Sequence, residues 1–154
     1  FYMRGMSFVD MAYLRKKDLT NGFIRYRRKK TGQLLIVELA DEGRKIISKY
    51  TNKTQYLLPI ITNENGEERK QYQGQLLRIN RHLKTIGKLI GLPVPLSTYV
   101  VRHAWATIAR DKGIELSIIS EGLGHDNEST TRIYLDSIRT TRVDEANRAI
   151  LDDL

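Results

Sequence analysis

The sequence predicts a mostly helical domain that carries one small antiparallel β-sheet, an α+β fold. Two observations lead to this prediction. Two runs rich in β-branched and aromatic residues flank the turn residues Thr31 and Gly32, which is the pattern of a β-hairpin. Most of the remaining apolar residues recur at helical spacing. The longest such series consists of Leu76, Ile79, Leu83, Ile86, Leu89 and Ile90.

The first elements are a short helix and the hairpin. Ser7 and Asp10 have the spacing of a capping box, with Asp in place of Glu, and predict a helix that begins after Ser7. Asn21-Gly22 is a turn sequence. The hairpin strands are predicted over 23–29 and 34–39.

The middle of the chain predicts two helices and a short extended run. Asp41 is a candidate N-cap for a helix. Residues 56–61 form an apolar run that favours a short strand, and the polar segment 62–70 favours a loop. A helix is then predicted over 72–90, and Gly91 ends it.

Three further helices are predicted before the C-terminal tail. Ser97 or Thr98 caps the first of them, which ends near Gly113. Two short helices follow, at about 115–121 and 128–134. We therefore expect one domain and a tail, because no repeat and no linker rich in proline or glycine breaks the sequence.

Domain boundaries are expected at 1–136 for the main domain and 137–154 for a tail helix. The chain begins without an initiator Met, so we expect an N-terminally truncated fragment of a longer protein. Residues 135–154 hold 3 Lys and Arg against 5 Asp and Glu. The tail also carries an apolar stripe made of Val143, Ala146, Ile150 and Leu151.

Composition narrows the class of partner. The net charge is +8, and residues 1–50 hold 12 Lys and Arg against 5 Asp and Glu, so a polyanion is the expected partner. With no cysteine, disulfides and thiolate chemistry are excluded. The 3 histidines are scattered, so we expect no metal and no other cofactor. No apolar run approaches the roughly 20 residues of a membrane span.

Residues suited to phosphate chemistry gather in the last third of the chain. Arg102-His103 lies early on a predicted helix, Leu123-Gly124-His125 follows, and Thr130-Thr131 precedes Tyr134. Arginine holds phosphate through a planar fork of donors, and a tyrosine oxyanion is a nucleophile once cations stabilise it. Together with Arg28-Lys29-Lys30 at the hairpin turn, this order and spacing resembles the catalytic domain of the tyrosine recombinases, the phage-integrase type, over about residues 4–150.

The resemblance implies a fold, a reaction and residue roles. It implies the DNA breaking-rejoining fold and a site-specific recombinase that cuts DNA through a 3′-phosphotyrosine on Tyr134, without metal or ATP. Arg102 would clamp the phosphate and His125 would donate a hydrogen bond to it. Lys30 would protonate the 5′ leaving oxygen, with Lys29 as its rival because strand neighbours face opposite ways.

Two positions depart from the family pattern. Where the family has its first arginine, three residues before an acid, this chain has Ser7 before Asp10. Arg28 is favoured over Arg4 as the replacement, because Arg28 and Lys30 share one face of a strand. Tyr99 stands where the family has His or Lys, and it either hydrogen-bonds at the site or packs.

The remaining expectations concern DNA and assembly. Arg27, Lys29 and Arg132 are expected to contact DNA backbone phosphates, whereas His103 is expected to point away from Arg102 and to pack. The resemblance implies double-stranded DNA, other protomers in a tetramer and accessory DNA-bending proteins as partners, in the bacterial cytoplasm at the nucleoid. It also implies integration or excision of a mobile element or the resolution of chromosome dimers, and the departures at Ser7 and Tyr99 favour a mobile element. The tail is expected to dock on a neighbouring protomer or to fold back. The alternatives are a type IB topoisomerase and a catalytically inactive DNA-binding module.

Overall fold

The computed structural model describes residues 1–136, so the predicted tail helix and its apolar stripe lie outside the described residues. The described part is helix-rich with one three-stranded antiparallel sheet, as predicted. In chain order the elements are α1 (Phe8–Tyr13), β1 (Leu19–Thr20), β2 (Phe23–Arg27), β3 (Leu34–Glu38), α2 (Asp41–Ile47), α3 (Glu68–Leu89), α4 (Thr98–Asp111), α5 (Leu116–Leu123) and α6 (Glu128–Asp136).

The sheet has the order β1-β2-β3, and the predicted hairpin is its β2–β3 pair. Both predicted strands are one or two residues shorter than expected. The two-residue strand β1 was not predicted. It pairs with β2 across Asn21 and Gly22, whose φ angles of 50° and 80° suit a tight two-residue hairpin turn. Burial alternates along β2, so Ile24 and Tyr26 face the core while the residues between them face solvent.

Helix α1 begins as predicted, because the Ser7 hydroxyl accepts a hydrogen bond from the Asp10 backbone N–H. The prediction for α2 was wrong in its cap. Asp41 is the first helical residue and Ala40 occupies the N-cap, so no side chain caps this helix. A carboxylate in the first turn still interacts favourably with the helix dipole, which explains the acid at this position.

Residues 56–61 do not form the predicted strand. An isolated bridge joins Arg15 to Tyr56, and the rest of the run is irregular. Pro59 lacks the N–H that a strand ladder needs, which is a physical reason for the miss. The apolar residues are nevertheless buried: Tyr56, Leu58, Ile60 and Ile61 form a core cluster with Ala12.

The later helices agree with the prediction apart from their ends. Helix α3 begins at Glu68, inside the segment expected to be a loop, and ends before Gly91. Ser97 caps α4, its hydroxyl accepting from the Val100 N–H. Helices α5 and α6 each run two residues further than predicted.

Two other clusters complete the core of the described part. One lies between the sheet and the N-terminal segment and includes Ile24, Val37 and Leu57. The other packs α4, α5 and α6 together through Ala106, Leu123 and Leu135. Within residues 1–136 no helix is both long and apolar enough to cross a membrane.

Candidate active site

The hairpin turn carries two cations into one cleft. Arg28 follows β2 and is 7% exposed, and it lines a cleft of about 590 Å³ together with Lys30. Arg27 and Lys29 line a different groove, on the other side of the turn. Arg28 and Lys30 therefore line the cleft and Lys29 does not, although β2 ends at Arg27 and these three residues follow the strand.

The start of α1 holds Arg28 in place. Asp10 is 3% exposed, and its carboxylate forms an ion pair with the Arg28 Nε at 3.5 Å. The same carboxylate accepts from the Ser7 hydroxyl at 2.6 Å and from the Lys29 backbone N–H at 2.8 Å. Arg28 also donates through Nη1 to the carbonyl of Gly124. One buried acid thus links α1, the hairpin turn and the guanidinium.

Helix α4 supplies the second buried guanidinium. Arg102 is 7% exposed and donates to the carbonyls of Gly5 and Leu123, each at 2.7 Å. Burial and the nearby Arg28 lower the pKa of Arg102, because two cations in a desolvated site repel each other. The buried Asp10 carboxylate pairs with Arg28 only, and the cleft lining has Arg28, Lys30 and Arg102 against Asp126, so an excess of positive charge suits an anion.

The α5–α6 loop fixes His125. Helix α5 ends at Gly124, which has the left-handed φ of 65° that glycine adopts without strain. The His125 N–H then donates to the Ser120 carbonyl at 3.0 Å. The ring is held as well, since its Nδ1 lies 2.7 Å from the Thr131 hydroxyl and its Nε2 lies 3.5 Å from Arg102 Nη2.

The charge state of His125 follows from its surroundings. Burial is the main cause that lowers the pKa of His125 to about 4, and the positive charges of Arg102, Arg28 and Lys30 also lower it. The negative charge of Asp126 raises it. His125 is therefore neutral at pH 7 and carries one N–H. A neutral imidazole can donate a hydrogen bond to a phosphate oxygen only through the nitrogen that bears this proton.

Tyr134 lies on α6 against these groups. Its hydroxyl is buried, and burial raises the pKa of Tyr134, while the charge of Arg102 and a side-chain hydrogen bond with it act to lower that pKa. The ring stacks on His103, with centroids 3.5 Å apart and an angle of 8° between planes. The His125 ring meets Tyr134 edge-on at 5.7 Å.

His103 and Tyr99 join Arg102 on one face of α4. His103 was expected to point away from Arg102 and to pack. It packs on the Tyr134 ring and also lines the cleft, where its ring meets that of Tyr99 at 4.2 Å. Spacing of three and four residues from Tyr99 places both Arg102 and His103 on the same helix face. Tyr99 is 60% exposed at the rim, and its ring meets that of Tyr134 at 5.8 Å.

Other expected site residues lie elsewhere. Arg4 is exposed and donates to the Ile36 carbonyl at 3.3 Å, and it does not line the cleft. Arg132 is exposed on α6. Arg27 donates to the Gly32 carbonyl at 3.0 Å, and the Lys29 ammonium lies 4.2 Å from the centre of the Tyr13 ring.

The arrangement suits an acceptor-only anion such as a phosphodiester. Two guanidiniums, a neutral imidazole and an ammonium surround a cleft that also holds a phenol, which is a potential nucleophile. Within residues 1–136, no three His, Asp or Glu side chains come together in a way that could hold a metal ion.

Sequence reasoning missed two residues that contact the site directly. His103 was discounted as a neighbour of Arg102, although its spacing from Tyr99 was a usable signal. Thr131 is fully buried and hydrogen-bonds to His125. The helical position of Thr131, three residues before Tyr134, gave no sign of this contact, which depends on how α5 and α6 pack.

Comparison with known proteins matches nearly the whole chain to one family. Residues 1–140 match the model of the phage integrase family. Tyrosine recombinase XerA of Saccharolobus solfataricus is 32% identical over 126 residues, which is 79% of this chain and 39% of that protein. Tyrosine recombinase XerC of Rickettsia bellii is 32% identical over 138 residues, 86% of this chain and 43% of that protein. The chain thus spans less than half the length of these relatives.

Solved structures of recombinases have the same fold. A crystal structure of XerA recombinase superposes with a TM-score of 0.63 at 22% identity, over 92% of this chain and 54% of that one. XerH site-specific recombinase, bound to palindromic difH substrate in a post-cleavage complex, gives a TM-score of 0.66 at 23% identity, over 95% and 42% of the respective chains. The predicted DNA breaking-rejoining fold is therefore confirmed.

Proposed function

The chain belongs to the phage integrase family, and from this premise we propose that it is the catalytic domain of a site-specific tyrosine recombinase. Its substrate is double-stranded DNA, and Tyr134 is the nucleophile. The observation that carries the proposal is the convergence on one cleft of Arg28, Arg102, His125 and Tyr134. Neither metal nor nucleotide enters the proposed reaction.

The first step is binding of the scissile phosphate. Arg102 and Arg28 hold the non-bridging oxygens, with the carbonyls of Gly5, Leu123 and Gly124 keeping the two forks aimed. His125 donates a further hydrogen bond. Arg28 takes the place of the family's first arginine, because it lines the cleft and Arg4 does not.

The second step is strand cleavage. The Tyr134 oxygen attacks phosphorus, the bond from phosphorus to the 5′ oxygen breaks, and Lys30 gives that oxygen a proton to release a 5′-hydroxyl. The phenol releases its own proton to solvent water as it attacks, and the charge of Arg102 opposes the effect of burial on its pKa. The 3′-phosphotyrosine keeps the bond energy, so the reverse attack by a 5′-hydroxyl reseals DNA without ATP.

Tyr99 and His103 act on the nucleophile. His103 stacks on the Tyr134 ring and limits its rotation, and Tyr99 meets the same ring edge-on at the rim. In this proposal Tyr99 donates a hydrogen bond to the bound phosphate in place of the family's His or Lys. Tyr99 is 60% exposed at the rim of the cleft, where bound DNA would lie in this proposal.

DNA flanking the cleavage point is bound through a second set of cations. The groove beside β2, here called the basic groove, is lined by Arg15, Lys17, Arg25, Arg27 and Lys29. These side chains contact backbone phosphates, as does the exposed Arg132, and so contribute affinity rather than sequence choice.

The longer protein is proposed to work as a tetramer on the ends of a mobile element in bacterial cytoplasm, with DNA-bending proteins as accessory partners. Residues 1–136 form the catalytic domain in this proposal.

Covalent trapping tests the reaction. A library of nicked duplexes with random sequence around the nick is incubated with the chain, and adducts are resolved on a denaturing gel. We expect a protein–DNA adduct that is lost in Tyr134→Phe and retained in Tyr50→Phe, which changes an exposed tyrosine outside the cleft. No adduct from the parent would favour an inactive DNA-binding module, and relaxation of supercoils without strand exchange would favour a topoisomerase.

A further inference from the structure

The contact between Thr131 and His125 affects which nitrogen of the imidazole bears the proton. Thr131 lies in the first turn of α6 and is 0% exposed, so water does not reach its hydroxyl. Its Oγ1 lies 2.7 Å from His125 Nδ1. Among the described residues this ring nitrogen is the sole hydrogen-bond partner of that hydroxyl.

The two possible directions of this hydrogen bond are not equivalent. If Nδ1–H donated to Oγ1, the threonine's own proton would be buried without an acceptor in the described part of the chain. If the hydroxyl donates to Nδ1, both groups are satisfied and the single imidazole proton resides on Nε2. The contact of Nε2 with Arg102 Nη2, at 3.5 Å, is too long to outweigh a buried unsatisfied hydroxyl.

We propose that Thr131 is a positioning residue that donates to His125 Nδ1 and so keeps the imidazole proton on Nε2, facing the phosphate site. The functional half of this inference rests on the proposed recombinase activity. An acceptor-only phosphate oxygen requires an N–H from a neutral histidine, and the threonine hydroxyl provides that N–H at the correct nitrogen.

The charged and titratable groups around His125 are consistent with this role. Arg102 on α4, Arg28 after β2 and Lys30 in the turn all face the ring and favour its neutral form, and Asp126 alone opposes them. Tyr134 on α6 meets the ring edge-on. In such a cationic site the His125 imidazole carries a single proton. A neighbouring group can then determine which of the two ring nitrogens bears it.

Nitrogen NMR of the DNA-free chain, labelled with ¹⁵N-histidine, tests the location of the proton. At pH 7 we expect His125 to show a protonated Nε2 and an unprotonated, hydrogen-bonded Nδ1. In Thr131→Val the Nδ1 resonance should shift toward that of a nitrogen without a donor, and Thr131→Ser should restore it. A protonated Nδ1 in the parent chain would overturn the proposal.

Adduct formation on the nicked duplexes tests the consequence. Thr131→Val should slow adduct formation roughly tenfold, because the group that orients the His125 ring is lost. Thr131→Ser should keep most of the rate. Thr85→Val is the control, since it removes a helical threonine hydroxyl on α3, bonded to the Arg81 carbonyl.

A double variant separates positioning from folding. In the His125→Ala background, Thr131→Val should cause no further loss, because Thr131 acts only through that ring. A further tenfold loss there, or a rate unchanged in Thr131→Val alone, would overturn the functional role. An absent adduct in the parent chain would instead count against the recombinase proposal, while the NMR result would still decide the direction of the hydrogen bond.

Discussion

Arg28 and Arg102 place two buried guanidiniums beside a single buried carboxylate. Each guanidinium is held by backbone carbonyls, which orient the forks without neutralising them. The Nε of Arg28 is buried without a hydrogen-bond acceptor in the described part of the chain, and only the 3.5 Å ion pair with Asp10 faces it. Two like charges in a desolvated site repel each other, so an anion bound in the cleft beside them would be stabilising.

The first prediction separates Arg28 from Arg4 as the replacement for the family's first arginine. Arg28→Lys keeps the charge but removes the fork, and we expect it to slow adduct formation by about 100-fold, the usual effect of losing one preorganised donor. Arg4→Ala should change the rate less than twofold, since this side chain contacts the outer edge of the sheet at Ile36. The measurement is the initial rate of adduct formation at saturating DNA.

Melting temperature provides the control for this pair. Arg28→Lys preserves an ion pair with Asp10 and should remain folded, so a slow rate in a folded variant assigns the loss to the reaction. Equal rates for Arg28→Lys and the parent, or a large loss in Arg4→Ala, would contradict the assignment.

At the same scale, the sequence predicted those site residues whose relation is set by local geometry. Strand alternation predicted one face for Arg28 and Lys30 and another for Lys29. These residues line different clefts in that way, although they lie in the turn after β2. The contact of Thr131 with His125 depends on the packing of α5 against α6, and the stacking of His103 on Tyr134 depends on that of α4 against α6. No local pattern encodes those two distances. The spacing of His103 from Tyr99 indicates only that the two share a helix face, so both contacts could be identified only from the folded chain.

Helix α5 and its terminal glycine connect the core to the site. Gly124 has a positive φ, and a Cβ built on it would lie 2.5 Å from Arg28 Cδ and 2.8 Å from Leu35 Cδ1. The carbonyl of the same residue accepts from Arg28. The end of this helix therefore needs glycine both for backbone conformation and for space.

Gly124→Ala tests this requirement against a matched glycine. Gly113 has a φ of +77° and no atom within 4 Å of a built Cβ, so Gly113→Ala reports backbone strain alone, about 1 kcal/mol of unfolding free energy. Gly124→Ala should lose a further 1–3 kcal/mol or so from overpacking. If urea unfolding gives equal losses of unfolding free energy for the two variants, the Arg28 side chain moves away from the new Cβ with little loss of stability.

The elements themselves were predictable to the extent that their signals were local. Capping by Ser7 and Ser97 placed the starts of α1 and α4 correctly. The failures were an apolar run interrupted by Pro59, which is buried without forming a strand, and the two-residue β1. The short strand β1 exists because β2 offers it a partner, and two residues carry too little pattern to be recognised alone.

At the scale of the whole molecule, the hairpin turn separates two cationic surfaces. Lys30 and Arg28 face the cleft, and Lys29 and Arg27 face the basic groove. Because the backbone of duplex DNA presents a phosphate on each strand every few ångströms, one surface can hold the scissile phosphate while the other holds its neighbours. Both surfaces carry more basic than acidic side chains, which suits the DNA binding proposed for them.

The last prediction concerns the salt dependence of DNA binding. Lys17→Gln with Arg25→Gln removes two cations of the basic groove and none from the cleft. If each contacts one phosphate, the slope of log K against log salt concentration should become shallower by about 0.9 per contact. Lys45→Gln with Lys49→Gln changes exposed lysines in and just after α2 that line neither the basic groove nor the cleft. It alters the net charge equally and should leave the slope nearly unaltered. Fluorescence anisotropy of a labelled duplex between low and moderate salt concentration gives the slope for each double variant. Equal changes of slope in the two variants would mean that overall charge, rather than the basic groove, determines affinity.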